Sequence, residues 1–147
     1  MKKLTIKYPA SSVTREEIAN FEKKYNIIFP DFYIEFLLVY NGVNTEEYLY
    51  TKGETSYPVN NFLPLSSGIN ASIELAFPFV TDPEFYDRND MIPFAFDPGG
   101  KPYFLAIGET NYREVYYGVL GLNEEETVRK IADSFEEFIN GLQKEER

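Results

Sequence analysis

Phe21-Glu22-Lys23-Lys24-Tyr25-Asn26-Ile27-Ile28-Phe29-Pro30-Asp31-Phe32-Tyr33-Ile34-Glu35-Phe36-Leu37-Leu38-Val39-Tyr40-Asn41-Gly42 is the stretch whose reading decides the fold. It opens on the tail of one helix and stops at Asn26-Ile27-Ile28-Phe29. It restarts at Pro30, read as the first helical position, where a missing N–H costs nothing. Asp31 behind it suits the positive end of a helix. Phe32, Tyr33, Phe36, Leu37 and Tyr40 then form a wide apolar stripe, and Leu38 and Val39 widen it. Such a helix is buried on most of its sides and should be the most buried in the protein. Asn41-Gly42 supplies a left-handed stop.

Working outward, the preceding helix begins near Thr14. Thr14 and Glu17 match the capping-box spacing, and Ile18, Phe21 and Tyr25 recur on one face. Lys3 to Tyr8 alternates weakly and reads as an edge strand or an arm. Beyond Gly42 the period changes. Tyr48-Leu49-Tyr50 and the run Tyr57 to Leu63 read as strands joined around Lys52-Gly53-Glu54. Ser66 to Phe77 is ambiguous, with Ile69, Ile73 and Ala76 at helical spacing. Phe77-Pro78-Phe79 through Asp90 reads as loop. Ile92–Phe96, Tyr103–Ile107 and Glu114–Leu120 are three strands with short connections, predicting an antiparallel meander with the second strand central. Asp97-Pro98-Gly99-Gly100 is the turn between the first two.

At the C-terminal end, Val128, Ile131, Ala132, Phe135, Phe138, Ile139 and Leu142 fall on one helical face. Asn123 with Glu126 and Ser134 with Glu137 have capping-box spacing. One long helix and a break at Asp133-Ser134 both fit, and the break is preferred. Residues 1–147 are thus expected to form one α+β domain. An antiparallel sheet should be packed by helices from the two chain ends. There is no internal repeat, low-complexity tract or linker.

Composition narrows the chemistry. The chain has 147 residues, 13 Phe, 12 Tyr, and neither Cys nor His. No disulfide or thiol chemistry is available, and the commonest general base and metal ligand is missing. Ser-His-Asp and Cys-His nucleophile systems and Cys/His zinc sites are excluded. The 14 basic and 24 acidic residues give a net charge of −10. No basic footprint for nucleic acid exists beyond Lys2-Lys3. Acid excess favours encounter with a basic protein. No apolar run reaches the ~18 residues of a membrane span, and the N-terminus lacks a signal-peptide core. The expected location is the cytoplasm.

Carboxylates are the one plentiful reactive group. Asp82, Glu84, Asp87 and Asp90 crowd one loop, where paired acids could serve glycoside hydrolysis or hold a hard cation. The loop lacks EF-hand spacing, and an ordinary solvated acidic loop explains it better. Asp97-Pro98-Gly99-Gly100-Lys101 is not a phosphate loop, because it joins two strands rather than opening a helix. Tyr-rich strands could stack bases, but there is no basic groove to hold a nucleic-acid backbone. The expectation is a protein with no catalytic residues, cofactor or metal.

The ordered set Phe21-Glu22, Phe29-Pro30, Tyr33-x-x-Phe36-Leu37, Asn41-Gly42, Phe62-Leu63-Pro64-Leu65, Ile92-Pro93-Phe94-Ala95, Asp97 with Gly99-Gly100, Val115-Tyr116 and Ile131 to Phe138 resembles the SUKH superfamily, the Smi/Knr-type domain. The resemblance runs along nearly the whole chain. It implies a non-catalytic domain that works by binding. Members are mostly bacterial immunity proteins that neutralise co-encoded polymorphic toxins, many of them nucleases. Eukaryotic relatives are signalling or cell-wall scaffolds. Where many relatives carry Trp or Asp after the Val-aromatic strand, this chain has Tyr117-Gly118 and no Trp, so no toxin identity is carried over. The implied partner is a basic protein toxin, with no nucleic acid or membrane, and the protein itself is expected to be a monomer or weak dimer. An intracellular scaffold and a carboxylate-dependent hydrolase are the alternatives.

The matching residues set helix limits and fill the core, so contact residues must be sought elsewhere. Two segments mix acids with aromatics expected to be half-exposed. The first is Glu46, Glu47, Tyr48, Tyr50, Glu54 and Tyr57. The second is Asp82, Glu84, Tyr86, Asp87 and Asp90. Tyr offers contact area at low entropic cost, and carboxylates accept paired bonds from Arg.

Overall fold

The computed structural model describes residues 1–8, 11–66, 71–122 and 125–145. Helix α1 spans Arg15–Tyr25 and is capped as its sequence requires. The Thr14 hydroxyl accepts from the Glu17 N–H at 3.1 Å, and the Glu17 carboxylate accepts from the Thr14 N–H at 3.2 Å. Asn26 ends the helix in the left-handed region. Glu22 then accepts from the Phe29 N–H at 2.8 Å, bracing the step into the next helix.

Helix α2 spans Asp31–Tyr40, with Pro30 one position outside it rather than first within it. Tyr33, Phe36, Leu37 and Tyr40 are buried, more side chains than any other helix buries. A solvent face remains, because Val39 is 51% exposed. The Asn41-Gly42 stop does more than end the helix. Gly42 has φ +73°, and a Cβ there would lie 3.0 Å from the Pro64 ring. The buried Asn41 side chain accepts from the Leu65 N–H at 2.8 Å, tying the helix end to the chain leaving the first strand of the sheet. The N-terminal segment is an arm making one bridge, Ile6 to Thr45, with Leu4 buried.

Strands β1 (Leu49–Lys52) and β2 (Thr55–Pro58) form a separate two-stranded hairpin. The run from Tyr57 to Leu63, expected as one strand, is divided. Its second part, β3 (Asn61–Phe62), belongs to the main sheet. The main sheet continues with β4 (Met91–Phe96), β5 (Pro102–Ala106), β6 (Val115–Gly118) and β7 (Val128–Ala132), antiparallel throughout and in chain order. The β4–β5–β6 meander and the central place of β5 agree with the sequence reading.

Two further expectations fail. The first concerns Phe77-Pro78-Phe79, which is not loop but the middle of helix α3 (Ile73–Thr81). Pro78 removes one intrahelical donor. The helix survives because Ser72 caps it, accepting from the Leu75 N–H, and because Ile73 and Val80 are buried. Residues 67–70 of the ambiguous Ser66–Phe77 stretch lie outside the described residues.

The second concerns Val128 to Ala132, which is strand β7 and not the first half of a helix. Val115 pairs with Ala132, yet the next residue, Tyr116, pairs with Lys130, so Ile131 is the extra residue of a bulge. A bulge places consecutive residues inward and destroys strict alternation. That is why 128, 131 and 132 imitate a helical period. Val128 in fact packs on the opposite side of the sheet from Ile131 and Ala132.

The expected break at Asp133-Ser134 is present, and helix α4 follows at Phe135–Asn140. Ser134 caps it by accepting from the Glu137 N–H at 3.0 Å. Glu137 reaches back to the Asp133 N–H instead of completing the box at Ser134. The other box, at Asn123, lies outside the described residues.

The larger core lies between the sheet and α1, α2 and α4. Phe135 meets Tyr33, Phe36 and Phe94 edge-on, with centroids 5.0–5.1 Å apart. Side chains alternate faces along β5. Tyr103 and Leu105 join this core, whereas Phe104 joins a smaller cluster with Val80, Tyr86, Met91 and Val128 on the other face. Phe36, 2% exposed, touches Tyr33, Tyr40, Phe62 and Phe135. Phe36→Ala should lower unfolding free energy by roughly 3–5 kcal/mol through lost burial and the cavity left behind. Urea denaturation should show a lower midpoint with an unchanged slope.

Candidate functional site

The two acidic, aromatic segments stand on opposite faces of the main sheet. The hairpin β1–β2 is pinned to the larger core, and the loop after α3 lies over the smaller one. They therefore cannot form one continuous patch through the sheet.

In the hairpin segment most groups are already engaged. Tyr50 and Tyr57 are buried rather than half-exposed. The Tyr50 ring packs on Phe138 at 4.8 Å, and its hydroxyl donates to the Ile131 carbonyl at 3.1 Å. Burial pushes that hydroxyl's pKa up to about 12. Tyr57 stands edge-on to Tyr117 at 5.4 Å, and its hydroxyl accepts from Arg129 at 3.1 Å. Both side chains fasten the hairpin to the sheet, because a two-stranded hairpin needs a packed face to be stable. Glu47 is buried too and accepts from the Thr5 N–H at 2.7 Å and the Thr5 hydroxyl at 2.9 Å. Burial acts to raise its pKa, but those donors outweigh it and hold the carboxyl below its ordinary value. Glu46 pairs with Lys144 at 3.5 Å, and half-buried Tyr48 donates to Glu145 at 2.7 Å. Glu54 is exposed in the hairpin turn.

The loop after α3 is a compact, hydrogen-bonded turn. The Phe85 and Asp87 N–H groups donate to the Asp82 carbonyl, and the Arg88 N–H donates to the Val80 carbonyl at 2.7 Å. Asp87 takes a positive φ of 53°. Tyr86 is buried, not half-exposed; it packs edge-on to Phe104 at 4.9 Å. Asp90 is held by Arg88, whose Nε and Nη2 donate to its two oxygens at 2.9 Å each, and by Asn111 Nδ2 at 2.9 Å. Asn111 in turn accepts from the Gly108 N–H at 3.0 Å, locking the loop to the β5–β6 connection. Of the remaining acids, Glu84 and Asp87 are exposed, and the half-buried Asp82 carboxylate accepts from the Glu84 N–H at 2.9 Å. Arg88–Asp90 is the only ion pair of this loop among the described residues.

Sequence reading passes over two other features. One is the exposed ring pair Phe79 and Phe85, hidden because α3 reads as loop at Pro78. The other is the tyrosine cluster that anchors the hairpin. The Asp97 carboxylate accepts from the Gly99 and Lys101 N–H groups at 2.9 and 2.8 Å and from the Tyr117 hydroxyl at 2.6 Å. Tyr117 packs against Tyr103, whose hydroxyl donates to the Pro58 carbonyl. The Asp-Gly-Gly turn thus holds a strand tyrosine as well as reversing the chain.

For acid–base or metal chemistry the arrangement offers little. Among the described residues no group of three His, Cys, Asp or Glu could hold a metal ion. The Arg88 guanidinium beside Asp90 holds its carboxyl below its ordinary value, the opposite of what a proton-donating acid needs. No helix of the described residues is long and apolar enough to cross a membrane.

Because the folded-state pKa of Asp90 is lowered, its pair stabilises the fold fully above the unfolded carboxyl value of about 3.9. That contribution disappears as pH falls through the lower folded value. The stability difference between the parent protein and Asp90→Asn should be constant from neutral pH down to about pH 5. It should shrink below about pH 4, as measured by urea melts at each pH. The loop's seat can be tested at Gly118. A Cβ there would sit 2.6 Å from the Tyr86 hydroxyl and 2.8 Å from Pro102 Cγ. Gly118→Ala should cost about 1–3 kcal/mol, and adding Tyr86→Phe should recover part of it in a double-mutant cycle.

No curated protein matches the chain. Residues 12–141 match the SMI1 / KNR4 family (SUKH-1), a span that runs from just before α1 to the end of α4. The chain belongs to the SMI1 / KNR4 family (SUKH-1).

Proposed function

We propose that this protein is an immunity protein, which binds a co-encoded polymorphic toxin one to one and neutralises it by direct contact. The family match over residues 12–141 carries this reading. The surface supports it: a net charge of −10 favours a basic partner such as a nuclease, and the conspicuous acids lie on a stiff loop. Neutralisation needs no catalytic group in the inhibitor. It needs a preformed surface that covers the toxin's own site and dissociates slowly.

Of the two acidic segments, the loop after α3 is the stronger contact surface. Glu84, Asp87 and Asp82 have no ion-pair partner among the described residues, whereas Glu46 is paired and Glu47 is buried against Thr5. Asp90 positions the loop through Arg88 and Asn111 and is not offered to a partner.

The test is co-expression with the product of the adjacent toxin gene. A one-to-one complex should co-purify, and cells should survive the toxin. The Asp82→Asn/Glu84→Gln/Asp87→Asn variant should keep its fold and associate roughly tenfold more slowly at low salt, with a flattened salt dependence. An unchanged on-rate removes this loop from the interface. Failure of the parent protein to bind or to protect removes the immunity reading itself.

A further inference from the structure

The outer face of the main sheet carries an apolar groove between α3 with its following loop and the β4–β5 connection. It encloses about 400 Å³, and its walls include Phe79, Val80, Phe85, Pro93, Phe104 and Leu120. Two of its rings are open to water: Phe79 is 54% and Phe85 41% exposed. They meet edge-on at 5.1 Å, so each holds the other upright. Leu75, one helical turn before Phe79, is 49% exposed and extends the apolar strip along α3. Adjacent exposed rings mark an interaction site more often than isolated ones do.

The groove is also preorganised. The floor residue Phe104 is 1% exposed and packed under Tyr86. The wall that bears Phe85 is fixed by the hydrogen bonds from Phe85 and Asp87 to Asp82 and from Arg88 to Val80. A partner would meet a surface whose ordering cost is already met by the fold. Charge selects the occupant. Asp82, Glu84 and Asp87 flank Phe85 and Tyr86 in the chain, with the one cation of that loop, Arg88, already paired to Asp90. On the opposite wall Lys101 turns its ammonium group onto the Leu120 carbonyl.

We infer that this groove is a docking site for a basic segment of a partner protein. One aromatic or long aliphatic side chain of that segment enters between Phe79, Phe85 and the sheet. Lysine or arginine on either side of it meets Asp82, Glu84 and Asp87. The inference rests on the proposed immunity reading for the partner's identity, while the groove's preference for a basic, apolar segment stands on its own residues. An apolar contact bordered on one side by complementary charge is an arrangement that concentrates binding energy at few positions.

The protein has no Trp, so a Trp-bearing probe reports its own burial without background. The probe is a short synthetic peptide with one Trp flanked by Lys and Arg. Two control peptides carry Trp flanked by Glu, and the same basic residues around Gly. The basic Trp peptide should bind saturably with a blue-shifted emission. The Glu-flanked and Gly-centred peptides should bind roughly tenfold more weakly or worse, the latter read by competition. Phe79→Ser/Phe85→Ser should weaken the basic Trp peptide by about tenfold or more, with an unchanged circular dichroism spectrum. Glu84→Lys/Asp87→Lys, which leaves both rings in place, should weaken it too. Val39→Ser, which alters a 51% exposed side chain on α2, should have no effect.

Absence of saturable binding, indifference to the ring pair, or equal binding of the Glu-flanked peptide would overturn the inference. So would self-association of the free protein that the ring variant abolishes, since a second copy would then be the occupant. With the adjacent toxin, undiminished neutralisation by the ring variant rejects the groove as the toxin's site and leaves the immunity reading standing. Peptide binding at the groove without any toxin complex does the reverse.

Discussion

The edge-on packing of Phe135 against Tyr33, Phe36 and Phe94 is the contact on which the other elements depend. It joins α2 from the first third of the chain, β4 from the middle and α4 from the end. Rings that meet edge to face satisfy their quadrupoles and fill space without side-chain flexibility. The constraint also explains why α4 can be so short. A helix of this length has little stability of its own and owes its existence to the face it buries.

A second set of aromatic contacts does a different task. Tyr50, Tyr57, Tyr103 and Tyr117 use their rings to join the hairpin to the sheet and their hydroxyls to satisfy the polar groups this covers. Phenylalanine could supply the area but would leave the Ile131 and Pro58 carbonyls without those donors. Buried acceptors lacking donors are costly. These four tyrosines therefore serve internal fastening.

The loop after α3 remains, with an economy of its own. One acid, Asp90, is used internally with Arg88 and Asn111 to hold the loop in shape. Glu84 and Asp87 stay in water, where their charge acts over several ångströms, and Asp82 lies half-buried between them and α3. The solvated acids and the ring pair of Phe79 and Phe85 thus share one hydrogen-bonded support.

Much of the fold was legible in the sequence because local chemistry dictated it. The Thr14–Glu17 box, the stop at Asn41-Gly42, the β4–β5–β6 meander and the cap at Ser134 all follow from hydrogen-bonding needs met within a few residues. The family, too, was readable from ordered motifs. The sequence also settled that no His or Cys chemistry is available. Only the tertiary structure decided the elements whose local signals were misleading. The bulge at Ile131 turned a helical-looking pattern into the strand that completes the sheet, and burial of Ile73 and Val80 kept a helix intact across Pro78. The same holds for the candidate site. Composition identifies acids and tyrosines, but which of them are exposed depends on partners far along the chain. Tyr57 is taken by Tyr117 and Arg129, Tyr86 by Phe104, and Asp90 by Asn111, so the exposed set could be defined only once those distant segments had come together.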